Sequence, residues 1–300
     1  MDTKRPTTFI LGAGFSAEQQ FPLMRDLKDR VIHFIEAEQH YRYADHIHPD
    51  GNLSAHLKQN EPYDPCCVTN QVLGIGVARL FWCITFFIQR FEDCYTNFAH
   101  GLMKSNGAWR VVNFNWDILV EKSLSDIGAS WRYSLTPNEG AIPIIKPHGS
   151  INWRSFAQDS SIVPQYSGWK PIGVDSTLSY DARHPLENPD LADHNDDLRY
   201  CLYPGDPDLP ESDADLERLW KDVLGAIQSA EKVVFIGYSL PEDDSYAGSA
   251  FRELCKNKAV EAYDPSSTTL ERFHKAFPHA KRELLGFKNT PYALRPARTA

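Results

Sequence analysis

Short apolar runs rich in β-branched and aromatic residues alternate along the chain with longer stretches whose apolar positions return every three to four residues. The run TTFIL, Thr7 to Leu11, meets Gly-Ala-Gly at once, which predicts a buried strand, a tight turn and a helix opening near Ser16 or Ala17. WRVVNF is extended and apolar, and DILVEKSL has helical character starting near Asp117. IPIIK, Ile142 to Lys146, reads as a further strand ended by Pro147. Later, Leu216, Leu219, Trp220, Val223, Leu224 and Ile227 make one face of a helix over Leu216–Ala230, which leads into the nearly continuous apolar strand KVVFIGYSL. A helix around Ser249–Lys256 and a last strand, AVEAYD, complete another crossover. Helices alternating with buried strands predict a mostly parallel α/β sheet.

Two stretches depart from this rhythm. From 27 to 104 the pattern is mainly helical, with apolar residues at Val77, Leu80, Phe81, Ile84, Phe87, Ile88, Phe91, Tyr95 and Phe98. That aromatic stripe reads as core packing, and HPDGNLSAH and EPYDPCC mark loops within this insertion. From 152 to 210 the chain is rich in Pro, Asp, Ser and Tyr without sustained periodicity, and reads as irregular structure or a small subdomain covering the sheet edge. Residues 1–300 thus read as one domain with an insertion and a cover.

Charge and cysteine usage narrow the function classes. A formal net charge of −9 argues against broad contact with phosphate backbones, so no direct nucleic-acid binding is expected. The most apolar run, LFWCITFFI, is too short to cross a bilayer, and MDTKRPTT lacks the apolar stretch of a signal peptide; a cytoplasmic protein without membrane contact is expected. Of six cysteines only Cys66 and Cys67 lie close together, and no C-x-x-C occurs, so neither a zinc ribbon nor a dithiol motif is supported. His46 and His48 in ADHIHPDG fit a metal or simply a polar loop, and no metal is expected.

Three sequence-distant motifs carry candidate chemistry. Gly12-Ala13-Gly14-Phe15-Ser16-Ala17 fits G-x-G-x-x-G/A: Gly12 permits the tight turn, Gly14 lets backbone approach a pyrophosphate, and Ala17 allows close helix packing. A structural glycine turn explains the same residues. A hydride-transfer enzyme would want an acidic residue about 20 positions on, ending a second strand; the candidate, Glu36, lies in helical sequence, which disfavours that chemistry. Asn115 ends a predicted strand, where parallel sheets bind ligands, and its amide suits holding a water or a ribose hydroxyl. Asp117 reads as a nucleotide contact or as a helix N-cap, and Glu121 as surface or packing support. His148, in Pro147-His148-Gly149, follows another predicted strand and suits a general base near neutral pH.

With these residues in view, the chain resembles the sirtuin-like (SIR2-like) superfamily, and within it the NAD-hydrolysing domains of bacterial antiphage defence proteins. The motifs that carry the resemblance are Gly12 to Ser16, Asn115-Trp116-Asp117, His148-Gly149-Ser150 and Gly237-Tyr238-Ser239-Leu240-Pro241, in the family's order. The resemblance implies a Rossmann-like fold with Asn115 and His148 as the catalytic pair. It also implies that NAD is held by Gly12, Ala13, Gly14, Phe15, Ser16 and Asp117 and by Gly237, Tyr238 and Ser239, with Asp264 near the adenosine. Pro22 and Arg25 keep a Pro-x-x-Arg spacing of deacylating sirtuins, but Gln20 and Leu23 stand where that loop usually has Gly and Asp. Deacylating sirtuins also carry a four-cysteine zinc module after the His-Gly motif, whereas only Cys201 and Cys255 follow His148 here.

That departure favours an NAD glycohydrolase, releasing nicotinamide and ADP-ribose, over an NAD-dependent deacylase or ADP-ribosyltransferase. A non-catalytic module sensing NAD or ADP-ribose is the third alternative. By analogy with the defence proteins, activity is expected to be switched on by assembly, through self-association into a homo-oligomer or through a partner protein of a defence system.

Overall fold

The computed structural model describes residues 5–37, 77, 80–81, 84–85, 88, 92–133, 140–156, 170–171, 198–202, 214–242 and 244–294. In chain order the elements of its first half are β1 (Thr7–Leu11), α1 (Ala13–Ser16), α2 (Met24–Ala37), α3 (Asp93–Lys104), β2 (Trp109–Asn113), α4 (Leu119–Asp126), β3 (Trp131–Tyr133) and β4 (Ile142–Ile145). There follow β5 (Gly149–Phe156), β6 (Lys170–Pro171), β7 (Leu198–Leu202), α5 (Ala214–Ser229), β8 (Lys232–Ile236), α6 (Ser245–Leu254), β9 (Ala259–Tyr263), α7 (Ser267–Ala276) and β10 (Lys281–Glu283).

Seven strands form one sheet in the order β10-β9-β8-β1-β2-β4-β3. Every adjacent pair in it runs parallel, which confirms the Rossmann-like α/β architecture. All five positions of β1 and all four of β4 are buried, as apolar runs without polar alternation require. From β1 the chain moves to β2, then to the edge strand β3, inserts β4 between those two, and returns to the other side of β1 with β8, continuing to β9 and β10. The order therefore reverses between β1 and β8, the kind of place where open α/β sheets take ligands.

Most predicted elements appear, with shifted ends. The first helix opens at Ala13 instead of Ser16 or Ala17, because the Phe15 amide already turns back to the Gly12 carbonyl at 2.8 Å. The second opens at Leu119, two residues beyond Asp117. The helix expected around Ser249–Lys256 begins at Ser245. β3 and β10, three residues each, are too short to leave a periodic signature. Within 152–210, the described residues contain β5 to Phe156, β6 and β7, which form a three-stranded sheet in the order β6-β5-β7. The motif loops around His46, His48, Cys66 and Cys67 lie outside the described residues, as do Phe87 and Phe91.

The residues form two compact units, 1–20 with 89–149 and 205–300, and 21–88 with 150–204. In the first, Phe9 makes edge-on contacts with Phe98, Trp109 and Tyr292, and Phe15 with Tyr95 and Phe98. A separate group on Phe235 brings in Phe251, Phe273 and Phe277. In the second unit Phe21 meets Phe81 edge to face, and Val31 and Val77 are buried. Among the described residues no helix is long and apolar enough to cross a membrane.

Candidate active site

The carboxyl ends of the parallel strands gather the motifs. Gly12 follows β1, Asn115 follows β2, His148 follows β4, Gly237 follows β8 and Asp264 follows β9. The two glycine turns lock backbone to backbone. Gly12 donates to the Ile236 carbonyl at 3.1 Å, Gly14 to the Gly237 carbonyl at 3.0 Å, and Gly237 to the Tyr263 carbonyl at 3.0 Å. A Cβ on Gly12 would stand 2.6 Å from the Gly237 carbonyl oxygen, and one on Gly14 would stand 2.8 Å from the Gly237 Cα. Gly237 itself has φ +61.

The missing side chains of Gly12 and Gly14 admit the Gly237 turn, and the amides of Gly12, Gly14 and Phe15 are already bonded within the protein. Phe15 is a core residue, 1% exposed and packed on Tyr95, Phe98 and Phe287. The Tyr95 hydroxyl donates to the Phe15 carbonyl at 2.7 Å and so ties α3 to the glycine turn. Ala13 is half-buried as the first residue of α1.

Ser16, Asn115 and Asp117 form a directed hydrogen-bond chain. Asn115 Nδ2 donates to the Gly12 carbonyl and to Ser16 Oγ, both at 2.9 Å. Ser16 Oγ donates to Asp117 Oδ2 at 2.6 Å, and Asp117 Oδ1 accepts from the Leu119 amide at 3.0 Å. A carbonyl can only accept, so Gly12 fixes which end of the Asn115 amide faces inward. Both Asn115 N–H groups are spent, and Oδ1 accepts nothing among the described residues. Ser16 and Asp117 are each 1% exposed, and the Asp117 carboxylate supports the turn into α4.

Beneath this chain lies a charge cluster that sequence reasoning missed. Lys146 and Glu121 side chains have no exposure, and Lys146 Nζ stands 3.1 Å from Glu121 Oε1. Lys146 also donates to the Asp117 carbonyl and, at 3.5 Å, to that of Trp116. The Tyr133 hydroxyl donates to Glu121 Oε1 at 3.0 Å. Burial holds the carboxyls of Asp117 and Glu121 above the usual range, and the Lys146 cation opposes that shift without reversing it. Glu121 is therefore a core ion-pair partner, not a surface residue. A lysine ending the apolar run IPIIK was the available signal, since a cation buried at the end of a strand requires an anion.

His148 has a separate set of neighbours. Its ring lies edge-on to Phe114 at 4.8 Å, and its carbonyl accepts from Trp116 Nε1 at 2.7 Å. Nε2 lies 3.5 Å from Asp244 Oδ2 and makes no hydrogen bond at that separation. Asp244 Oδ2 accepts from the Tyr238 hydroxyl at 2.6 Å. The Ser239 carbonyl accepts from Arg272. Asp264 Oδ1 accepts from the Ser266 amide at 2.8 Å, and burial raises its carboxyl above the usual range against the pull of that bond. Gln20 adopts φ 66, the left-handed conformation suited to the glycine that the sirtuin resemblance would place there; the Arg25 side chain lies outside the described residues.

No family model matches the chain, and no curated protein sequence matches it. Solved structures do. A mutant Sir2 homologue in complex with ADP-ribose aligns with TM-score 0.48 at 14% identity, covering 95% of this chain and 88% of that one. A Sir2 complex with a p53 peptide and NAD+ gives 0.46 at 12% identity, over 94% and 89% of the two chains. Sir2Tm bound to a propionylated peptide gives 0.46 at 13% identity over the same shares. At these scores the likeness carries no weight for function, which stands on the chain's own residues. Among the described residues, no three His, Cys, Asp or Glu side chains are grouped to hold a metal ion.

Proposed function

We propose that the chain is an NAD glycohydrolase whose catalytic pair is Asn115 and His148. The observation that carries this reading is the fixed Asn115 amide at the ligand-binding edge of a parallel sheet, with Oδ1 left as an acceptor and an imidazole following the next strand. Nicotinamide leaves ribose C1′ as a neutral group: the C1′–N bond breaks with its electron pair going to the pyridine nitrogen, so no general acid is needed. An oxocarbenium-like ribose then takes water, forming the C1′–O bond. Asn115 Oδ1 accepts a proton-bearing bond from that water or from a ribose hydroxyl and so orients it. His148 accepts the proton that water loses, which passes on to solvent. The products are nicotinamide, ADP-ribose and one proton.

The nucleotide lies over the carboxyl edge, with Gly237, Tyr238 and Ser239 on one side of β1 and Asp264 beyond them at the end of β9. Unrestrained NAD loss would harm the producing cell, so activity is switched on by assembly, as an effector of antiphage defence. Light scattering should show a larger particle in the active than in the resting state, and a monomer in both would refute activation by assembly. The decisive assay is nicotinamide release from NAD by the wild type, Asn115→Ala and His148→Ala. Each substitution should lower the rate by about 100-fold or more. Full rates in either variant, or no release by activated wild type, would overturn the assignment.

A further inference from the structure

We infer that Asp244 is a positioning residue for His148, holding Nε2–H so that Nδ1 is the nitrogen that takes the proton. The inference rests on the proposed hydrolase reading and extends it to a residue outside its motifs.

The two residues come from different loops, after β4 and after β8, and converge at 3.5 Å between Nε2 and Oδ2. Both side chains are largely withdrawn from solvent, at 16% and 5% exposure. Nε2 is buried without a hydrogen bond, a costly state for an imidazole nitrogen that an adjoining carboxylate relieves by a small closing movement. Hydrogen bonds of this kind are often long in ligand-free sites and tighten when substrate binds.

The carboxylate is also not accounted for by ordinary helix capping. Asp244 occupies the N-cap position of α6, where an aspartate usually accepts from the first turn, yet its side chain makes no capping bond. Its backbone carbonyl accepts from Gly248 instead. Oδ2 is turned to the Tyr238 hydroxyl at 2.6 Å and to His148. Phe114 limits how the pair can reorient, lying 4.8 Å edge-on from the His148 ring and 4.7 Å from the Tyr238 ring. A carboxylate beside one ring nitrogen selects the tautomer protonated there and leaves the other nitrogen as acceptor. In turnover the water proton passes to Nδ1, and the Asp244 side chain lies beside the imidazolium that results.

Long-range 15N–1H spectra of His148 at pH 8.5 test this directly, with Asp244→Asn as an isosteric variant and Asp244→Ala as a second. Wild type should show Nε2 protonated and Nδ1 bare, and both variants should lose that preference. Nicotinamide release should fall about 100-fold in kcat, with KM for NAD changed less than threefold. An unchanged tautomer in Asp244→Asn, or a raised KM at constant kcat, would overturn the inference. If wild type releases no nicotinamide, the hydrolase reading fails, while the tautomer of His148 still judges the pairing by itself.

Discussion

Replacing Lys146 with methionine isolates the electrostatics that hold the Asn115–Asp117 turn. The substitution keeps a long flexible side chain in the core but leaves Glu121 and Asp117, both fully enclosed, without their shared cation. Removing one partner of a buried ion pair costs about 3–5 kcal/mol. The cost has a ceiling, because a stranded carboxylate can take up a proton. One pKa unit is worth about 1.36 kcal/mol, so neutralising a glutamate of ordinary pKa near 4.3 costs about 3.7 kcal/mol at pH 7 and about 1 kcal/mol at pH 5. Losing the lysine donor to the Asp117 carbonyl adds about 1 kcal/mol or more at either pH.

Lys146→Met should therefore cost about 4–5 kcal/mol at pH 7 and about 2 kcal/mol at pH 5. A carboxyl whose folded-state pKa is raised stabilises the fold fully below its unfolded value and loses that contribution as pH rises through the folded value. Stability of the variant, relative to wild type, accordingly falls between pH 5 and 7. Urea unfolding at both pH values measures it, and the double variant with Glu121→Gln should recover about 2 kcal/mol or more at pH 7. A cost below about 1 kcal/mol at pH 7, or one equal at the two pH values, would refute the reasoning.

Gly237→Ala should destabilise by about 3 kcal/mol or more, because φ +61 is unfavourable for alanine and its Cβ would meet the Gly14 backbone; Gly107→Ala, at φ +82 with open space around it, should cost about 1 kcal/mol. Thermal melts compare the two, and equal shifts would contradict the interlocked turns. Phe15→Ala should lose about 3–5 kcal/mol in urea unfolding as a core truncation; a near-neutral result would contradict that packing. At Glu261, burial opposes ionisation, but hydrogen bonds from Tyr292 and Tyr263 and the Lys232 charge hold the carboxyl below its ordinary value. Its contribution is complete above the ordinary glutamate pKa and lost as pH falls through the lowered one. Glu261→Gln should thus be less stable than wild type at pH 6.5, with a narrower gap at pH 3.5, and a constant gap in urea midpoints would exclude this.

The sheet itself was legible in the chain, because a strand buried on both faces must be largely apolar, and TTFIL, IPIIK and KVVFI read that way without any partner being known. Asn115 and His148 were also legible, as polar residues placed just beyond such strands. Strand order was not, since parallel pairing is a long-range choice: β8 joins β1 across more than two hundred residues. What the glycines are for was decided the same way, by the close approach of Gly237 to Gly12 and Gly14. So were the buried pairing of Lys146 with Glu121 and the meeting of Asp244 with His148. Local pattern reports what each segment must bury, whereas a charge or a hydrogen-bond partner is specified only when the fold brings two distant segments together.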